Sequence, residues 1–370
     1  MKMAEVPIGR RNLFAERRRA VLAIAGVAVT FLMVILLDGI VNGATRELTR
    51  YIDTSPAEVF VAQRGVTNMH MASSSIPLSE VKTIRAVPGV TWADPILYAP
   101  DALATPAGRE LTYVIGYVPG ERGGPVSLVT GRDPGPGEAV IDRRAASNLG
   151  LGVGDSVRAL GRAWRISGLT SGLTNLANTV VFIRFDEFAR ATDLRGTASY
   201  ILVGGRIPPD ILARRIAHAT GLSALPRAAF SAQELALARD MTAQLLQIMT
   251  LAAFLIALAV IGLALYTSTL SRLKEVGVMK ALGARPRRLV GVVLSEALWT
   301  VGAAVGIAIA LALGLAWVLA RATGNISVTL QSASVVRVAV GGAVLGALGA
   351  VAPLIKVWRV DPASVFRREP

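Results

Sequence analysis

The sequence contains no cysteine, and two of its 370 residues are histidines. Disulfides and thiolate metal sites are therefore excluded, and a metal site would need thioether or carboxylate ligands. The sequence also lacks a Gly-x-x-x-x-Gly-Lys-Ser/Thr phosphate loop, a Gly-x-Ser-x-Gly elbow and a His-Glu-x-x-His motif. We expect the chain not to be an enzyme, and to hold no cofactor and no metal.

Charge is missing from long stretches of the chain. Apolar residues make up 53% of the sequence, against about 45–50% in soluble proteins on a count that includes glycine. A helix needs about 18 or more apolar residues to cross a bilayer. Stretches of this length occur at 20–37, 241–271, 289–320 and 338–355. They predict four transmembrane helices.

The net charge of +14 is unevenly distributed. Eleven of these charges lie in three short segments, 1–19, 272–288 and 356–370. With four spans these segments share one side of the membrane, and short loops rich in Lys and Arg face the cytoplasm. We therefore expect a multi-pass protein of a bacterial-type cytoplasmic (inner) membrane with both termini cytoplasmic. The basic charge indicates topology and contact with the lipid bilayer, with no nucleic acid as partner.

The long polar segment 43–240 mixes alternating strand patterns with helical ones, which predicts an α+β fold. The predicted fold class is thus a membrane protein with four transmembrane α-helices and a large α+β extracytoplasmic domain between spans one and two. The predicted segments are a basic amphipathic lead-in (1–19), span one (20–42), the outer domain (43–240), span two with a stalk (241–271), a cytoplasmic helix (272–288), span three (289–320), an outer turn (321–337), span four (338–355) and a cytoplasmic tail (356–370).

Several local patterns refine this plan. The Gly- and Pro-rich segment 131–137 predicts a hinge between two lobes of the outer domain. Ser231 and Glu234 have the spacing of a capping box at the start of a long helix. Residues 241–271 alone would be roughly 46 Å long at helical rise, so the second span is expected to project outward as a stalk. Asp38 ends the first span, and we interpret it as an interfacial residue in contact with water.

Two groups of residues invite interpretation as sites. Met69, His70 and Met71 are adjacent residues whose side chains are of types that can bind a metal ion or haem. We nevertheless interpret them as part of an exposed polar loop. Spans three and four contain pairs of glycines four residues apart, a spacing that lets helices approach closely in lipid. Packing within the chain and packing across a dimer both remain open for these glycines: Gly302, Gly306, Gly342 and Gly346.

The segment 272–288 has apolar residues at three- and four-residue spacing, which predicts a helix of about ten residues. Gly283 and Pro286 are its stop signals. Such a helix on the cytoplasmic face would bind anionic lipid or dock into a groove on a soluble partner. Glu275 favours docking, since an acidic side chain gains nothing on an anionic membrane.

At these residues the sequence resembles the MacB/FtsX-type permeases of ABC transporters. RLKEVGVMKALGA, from Arg272 to Ala284, is similar to the family signature Arg-x-x-Glu-Ile-Gly-x-x-Arg/Lys-Ala-Leu-Gly, and Glu296 follows at the family's spacing. Weaker similarities, which together reach both termini, are RRNLFAERRRAVLAIAGVAV, GEAVIDRRAASNLGLGVGDSV and VWRVDPASVFRR. The resemblance therefore covers the whole chain.

The resemblance implies a permease subunit whose coupling helix docks on a separate ATP-binding subunit, which binds ATP and Mg. It also implies a dimer, either a homodimer with a second permease copy, which is expected, or a heterodimer with a related chain, and it allows for an extracytoplasmic accessory protein. No fused ATPase domain is expected, in contrast to MacB. The implied coupling positions are Arg272, Glu275, Val276, Gly277, Met279, Lys280, Ala281, Leu282 and Gly283.

In this family ATP hydrolysis moves the outer domain, which is called mechanotransmission. We therefore expect export or extraction of an amphipathic or lipid-linked substrate. Three alternatives stay open: an FtsX-like regulator of an extracytoplasmic cell-wall hydrolase, a haem exporter, and a membrane-anchored binding protein with no motor.

Overall fold

The computed structural model describes residues 17–105, 108–174, 179–271, 286–322 and 331–359. The chain divides into two compact units. The first, called here the membrane unit, contains the chain up to Asn42 and most of the chain from Thr242 onwards. The second, called the outer domain, is built from Gly43–Met241.

The helices include those of the predicted spans. In chain order they are α1 (Arg17–Leu48), α2 (Arg50–Thr54), α3 (Glu80–Arg85), α4 (Arg143–Asn148), α5 (Phe185–Ala191), α6 (Pro209–Thr220), α7 (Arg227–Ser271), α8 (Pro286–Ala322), α9 (Ser332–Gly349) and α10 (Val351–Arg359). Four helical segments are long and apolar enough to cross a membrane: Ala20–Ala44, Arg227–Ser271, Val290–Leu319 and Ser332–Lys356. The prediction of four spans is confirmed.

Two span boundaries differ from the prediction. The outer turn was predicted to reach residue 337, but α9 already begins at Ser332. Arg337 was predicted to end the outer turn. It instead belongs to α9, and its guanidinium lies 3.8 Å from the Asp38 carboxylate. Pro286 does more than stop a preceding helix, because it is the first residue of α8. Proline is well suited to that position since the first N–H of a helix has no partner within the helix.

The outer domain is built around one mixed sheet. Its strands are β1 (Val59–Ala62), β2 (Ile76–Pro77), β3 (Val90–Thr105), β4 (Gly108–Tyr117), β5 (Leu128–Gly131), β6 (Glu138–Asp142), β7 (Ser156–Ala159), β8 (Arg162–Thr170), β9 (Thr179–Arg184), β10 (Thr197–Ala198), β11 (Tyr200–Gly205) and β12 (Ser223–Pro226). The main sheet has the order β12-β1-β11-β3-β4-β9-β6-β8-β5, with β7 beside β3 and β8. Strands β2 and β10 form a separate pair. The predicted α+β class is confirmed.

Strand β3 joins the two halves of this sheet. Its first part, Val90–Ile96, pairs with β11, and its second part, Leu97–Thr105, pairs with β4. No strand was predicted here, because Pro95 and Pro100 interrupt the pattern and proline lowers the expectation of a strand. Both prolines nevertheless have ladder partners, Pro95 opposite Ile201 and Pro100 opposite Tyr113.

The predicted hinge at 131–137 is wrong as a boundary between lobes. The segment connects β5 to β6, and both of these strands pair with β8 in the same half of the sheet. It is also fixed in place: the Gly137 N–H donates to the Glu187 carboxylate at 2.8 Å, and Arg132 lies 2.7 Å from Glu138. Glycine and proline here serve a tight connection, which has the same composition as a hinge.

Candidate functional site

The segment predicted to be the ATPase-coupling helix lies outside the described residues. This applies to all nine predicted coupling positions: Arg272, Glu275, Val276, Gly277, Met279, Lys280, Ala281, Leu282 and Gly283. The helices on either side are described, since α7 ends at Ser271 and α8 begins at Pro286. The contacts of these two helix ends therefore show what flanks the predicted coupling segment.

A side-chain contact joins α7 to α8 near the coupling segment. The Ser268 hydroxyl of α7 donates a hydrogen bond of 2.7 Å to the Glu296 carboxylate of α8. Glu296 is the one formally charged residue in the sequence between 289 and 320. A charge inside a span is costly and usually has a partner in the protein. The contact holds together the two helices that enter and leave segment 272–285.

A second polar contact joins α1 to α9 at the opposite ends of the spans. The Ser334 hydroxyl donates to the Asp38 carboxylate, and Arg337 lies 3.8 Å from the same carboxylate. One turn further along α1, the Asn42 side chain accepts a hydrogen bond of 3.2 Å from Gln331. The Asp38 side chain is 13% exposed. Asp38 was predicted to be an interfacial residue in contact with water. In the structure it instead joins α1 to α9.

The four predicted packing glycines have different surroundings. A Cβ atom added to Gly342 would lie 2.9 Å from the Phe31 ring and 3.0 Å from Val301, and one added to Gly346 would lie 3.2 Å from Val301. The glycines of α8 differ: within the described residues, no atom lies within 4 Å of a Cβ added to Gly302 or Gly306. Close approach inside the chain thus requires the glycines of α9.

The first turns of α7 are anchored in the core of the outer domain. The Phe230 ring stacks on Phe60 with centroids 5.0 Å apart and planes 8° from parallel. Arg227 donates a hydrogen bond of 2.6 Å to the Ser55 carbonyl. Since α7 continues to Ser271, a single helix begins in this core and ends directly before the segment predicted to be the coupling helix.

Glu234, also on α7, binds a loop of the outer domain. Its carboxylate accepts hydrogen bonds from the backbone N–H groups of Met69 at 2.6 Å and His70 at 3.3 Å. The His70 Nδ1 atom lies 2.9 Å from the same carboxylate. The side chains of His70 and Glu234 are 8% and 1% exposed. A buried carboxylate with three such partners fixes the loop to the helix.

Aromatic rings surround the His70–Glu234 pair. The imidazole meets Tyr113 edge-on at 4.5 Å and Tyr98 at 5.7 Å. Tyr200 donates a hydrogen bond of 3.0 Å to the Asn68 carbonyl and so supports the same loop. Burial, then neighbouring Tyr113 and the charge of Glu234, raise the pKa of the Tyr98 hydroxyl, and burial and the Glu234 charge also raise the pKa of Tyr200.

Two predictions about these residues are wrong. The loop carrying His70 is exposed only in part, since Met69 is 1% and the His70 side chain 8% exposed whereas Met71 is 57% exposed. Ser231 is not an N-cap, because α7 begins at Arg227 and Glu234 binds the His70 loop. The pairing joins residues 164 positions apart, which local sequence patterns cannot show. The nearest signal was the unusual placement of a histidine between two methionines.

The described part of the chain contains no group of three or more His, Asp or Glu side chains that could hold a metal ion. His70 faces Glu234 with one ring nitrogen and packs against tyrosines. The arrangement is suited to positioning a helix against a loop rather than to holding a metal.

Two family models match the chain. A MacB-like periplasmic core domain matches residues 20–214, and an FtsX-like permease C-terminal domain matches residues 248–362. The first covers span one and the outer domain up to residue 214, and the second covers the remaining spans from residue 248 and the predicted coupling segment.

Relatives match over nearly the full chain. The chain is 26% identical over 361 residues to uncharacterised ABC transporter permeases of Mycobacterium bovis and Mycobacterium tuberculosis, covering 96% of this chain and 97% of each relative. Among solved structures, it matches the extracellular domain of the noncanonic ABC-type transporter YknZ from Gram-positive bacteria with 12% identity and a TM-score of 0.35, covering 46% of this chain and 98% of that one. It matches the periplasmic region of MacB from Actinobacillus actinomycetemcomitans with 12% identity and a TM-score of 0.37, covering 51% and 97%.

Proposed function

Since this chain belongs to the MacB/FtsX-type permeases of ABC transporters, we propose that it couples ATP hydrolysis in a separate ATP-binding subunit to movement of its outer domain. The ATP-binding subunit docks on the segment 272–285, and the permease functions as a dimer. Its substrate is an amphipathic or lipid-linked molecule that is exported or extracted from the membrane.

The observation that supports this proposal most directly is the course of α7. The helix runs from Arg227 to Ser271, which is roughly 67 Å at helical rise, while the hydrocarbon of a bilayer is about 30 Å thick. One end is fixed in the outer domain by Phe230 and Glu234. The other end leads directly into the basic segment that resembles a coupling helix.

The contacts between spans support the same mechanism. Ser268 and Glu296 join α7 to α8 on the two sides of the coupling segment. A displacement of this segment would therefore move both helices together. A transmitted movement requires discrete packed elements of this kind, because packed helices shift as units.

The test is copurification of an ABC-type ATP-binding subunit with the full-length permease. Glu275→Lys reverses a charge at the proposed docking surface, and Gly283→Arg adds a bulky side chain there. We expect both variants to lose most of the bound ATP-binding subunit. The matched control is Asp210→Lys, a charge reversal at an exposed position of α6 in the outer domain.

The amount of copurified ATP-binding subunit decides whether docking occurs at 272–285. Retention of the ATP-binding subunit by the control and its loss from E275K and G283R would support docking at 272–285. Equal copurification by all variants would overturn that assignment. Membrane insertion of each variant is checked by its yield in the membrane fraction, so that a folding defect is not read as lost docking.

A further inference from the structure

A half-open cavity of about 450 Å³ lies in the outer domain beside the loop that carries His70. Its walls come from this loop, from β3 and from the start of β11. Cavities that bind small molecules usually measure about 300–1,000 Å³ and combine apolar walls with a few fixed polar groups. The lining includes Met69, His70, Met71, Tyr98, Ser199 and Tyr200.

The polar groups of this cavity are held in place by the fold. His70 is fixed by Glu234 at 2.9 Å and by the rings of Tyr98 and Tyr113. Ser199 accepts a hydrogen bond of 3.0 Å from the Tyr98 N–H. Fixed groups lose little entropy when a ligand binds, so a cavity of this kind is preorganised.

The charges around the cavity favour a cationic ligand. Among the described residues that line it, none is Lys, Arg, Asp or Glu. Glu234 is a buried carboxylate that lies 2.9 Å from the wall residue His70. Tyrosine faces attract cations, most strongly where water is excluded. An anionic ligand would find no basic partner among these side chains except His70, which already pairs with Glu234.

The cavity is also connected to α7. His70 forms part of the cavity wall, and Glu234 binds both the imidazole and the backbone of His70. A ligand that changes the position of His70 therefore changes one of the contacts between α7 and the rest of the outer domain. Within the outer domain, the pair His70–Glu234 thus connects the cavity wall directly to α7.

We propose that this cavity binds an organic cation carrying an aromatic ring, such as the head of an amphipathic molecule, and that the His70–Glu234 pair transmits its occupancy to α7. The inference goes beyond the proposed function, because both parts are measured on the permease without an ATP-binding subunit. A negative result for docking of the ATP-binding subunit would not contradict cation binding or its transmission to α7. A negative result for these two would likewise not contradict docking.

Binding is tested on the full chain in lipid nanodiscs by calorimetric titration with benzyltrimethylammonium. We expect saturable binding, and no saturable binding of benzylphosphonate, an anion of similar size. Ser73→Lys places a positive charge at the cavity wall and should weaken benzyltrimethylammonium binding about tenfold or more, because like charges repel. The matched control is Ser156→Lys, at an exposed position of β7. Absence of saturable binding, or equal affinity in S73K and S156K, would overturn the site.

Transmission is tested by amide hydrogen exchange of the same samples. Saturating benzyltrimethylammonium should slow exchange both in residues 68–72 and in residues 228–240 of α7. Glu234→Gln removes the carboxylate charge and His70→Gln changes the cavity wall, so benzyltrimethylammonium is raised in each variant until its binding saturates. At saturation the ligand should still protect 68–72 but no longer 228–240 in E234Q. H70Q should also lose the protection of 228–240, and it serves as the second variant should E234Q fold poorly.

The matched control for transmission is Glu187→Gln. Glu187 is likewise a buried carboxylate that accepts hydrogen bonds from a loop N–H, that of Gly137. It lies outside the cavity lining, so ligand protection of both segments should persist in E187Q. Protection of 228–240 that persists in E234Q and H70Q as well would disprove transmission through the pair.

Discussion

At the scale of single residues, Glu234 joins α7 to the loop that carries His70. Its carboxylate accepts hydrogen bonds from two backbone N–H groups and lies 2.9 Å from the His70 imidazole, in a region where water has little access. Removing a partner from a buried donor costs more than the hydrogen bond itself contributes, because the donor remains without water. Truncation of the Glu234 side chain is therefore expected to destabilise the loop that it binds.

Glu234→Ala should destabilise the loop at Met69 and His70 by about 1–3 kcal/mol, the usual cost of an unsatisfied buried polar group. This corresponds to about five- to 150-fold faster amide exchange at these two residues. Hydrogen-exchange mass spectrometry of the full chain measures it. Glu187→Ala is the control and should accelerate exchange at Gly137 instead. Unchanged exchange at Met69 in E234A would contradict the prediction.

The glycines of the spans allow a second prediction at this scale. Gly342→Val would force methyl groups against Phe31 and Val301, which already lie within about 3 Å of the first added carbon. Overpacking of this kind costs about 1–3 kcal/mol, so the detergent-solubilised protein should unfold at a lower temperature. Gly302→Val is the control, because the corresponding space is open in the described chain. Equal unfolding temperatures for the two variants would contradict this assignment.

Sequence reasoning succeeded best where a pattern is local. The alternating or β-rich runs at 58–62 and 179–183 predict strands from the sequence alone, and β1 and β9 lie at these positions. Strand β3 was missed because its prolines resemble a loop, although its neighbours on both sides supply the ladder. The His70–Glu234 pair was missed because a loop residue and a helix residue meet only after the sheet has formed.

At the scale of elements, α7 and α8 are connected through one hydrogen bond near the coupling segment. The chain has no cysteine, so pairs of introduced cysteines can report this proximity without a background. Cysteines at positions 268 and 296 should be joined in high yield by a short methanethiosulfonate cross-linker, because the native side chains are in contact.

Trypsin supplies the readout, since segment 272–288 contains six Lys and Arg residues. Cleavage there separates α7 from α8 unless the cross-link holds the fragments together. The control pair combines position 268 with position 298, where Leu298 is 53% exposed. Cross-linking of the control as efficiently as the test pair would mean that α7 and α8 do not pack as described.

At the scale of the whole molecule, the distribution of charge predicts the orientation in the membrane. Single cysteines at Ser127, which is exposed in the outer domain, and at Ser364 of the basic tail should lie on opposite sides. A membrane-impermeant maleimide added to intact spheroplasts should label S127C at once and S364C only after permeabilisation. Labelling of both positions in intact spheroplasts would reject the predicted topology.

The change of partner along β3 also determines where the cavity lies. The β11 side of the sheet pairs with β3 up to Ile96, and the β4 side pairs with it from Leu97 onwards. At this step Ser199 accepts a hydrogen bond from the Tyr98 N–H, so the connection before β11 follows β3 past the end of the ladder. Tyr98 and Pro100 of the cavity wall lie directly after the step. The cavity is therefore placed at the strand that both halves of the sheet share.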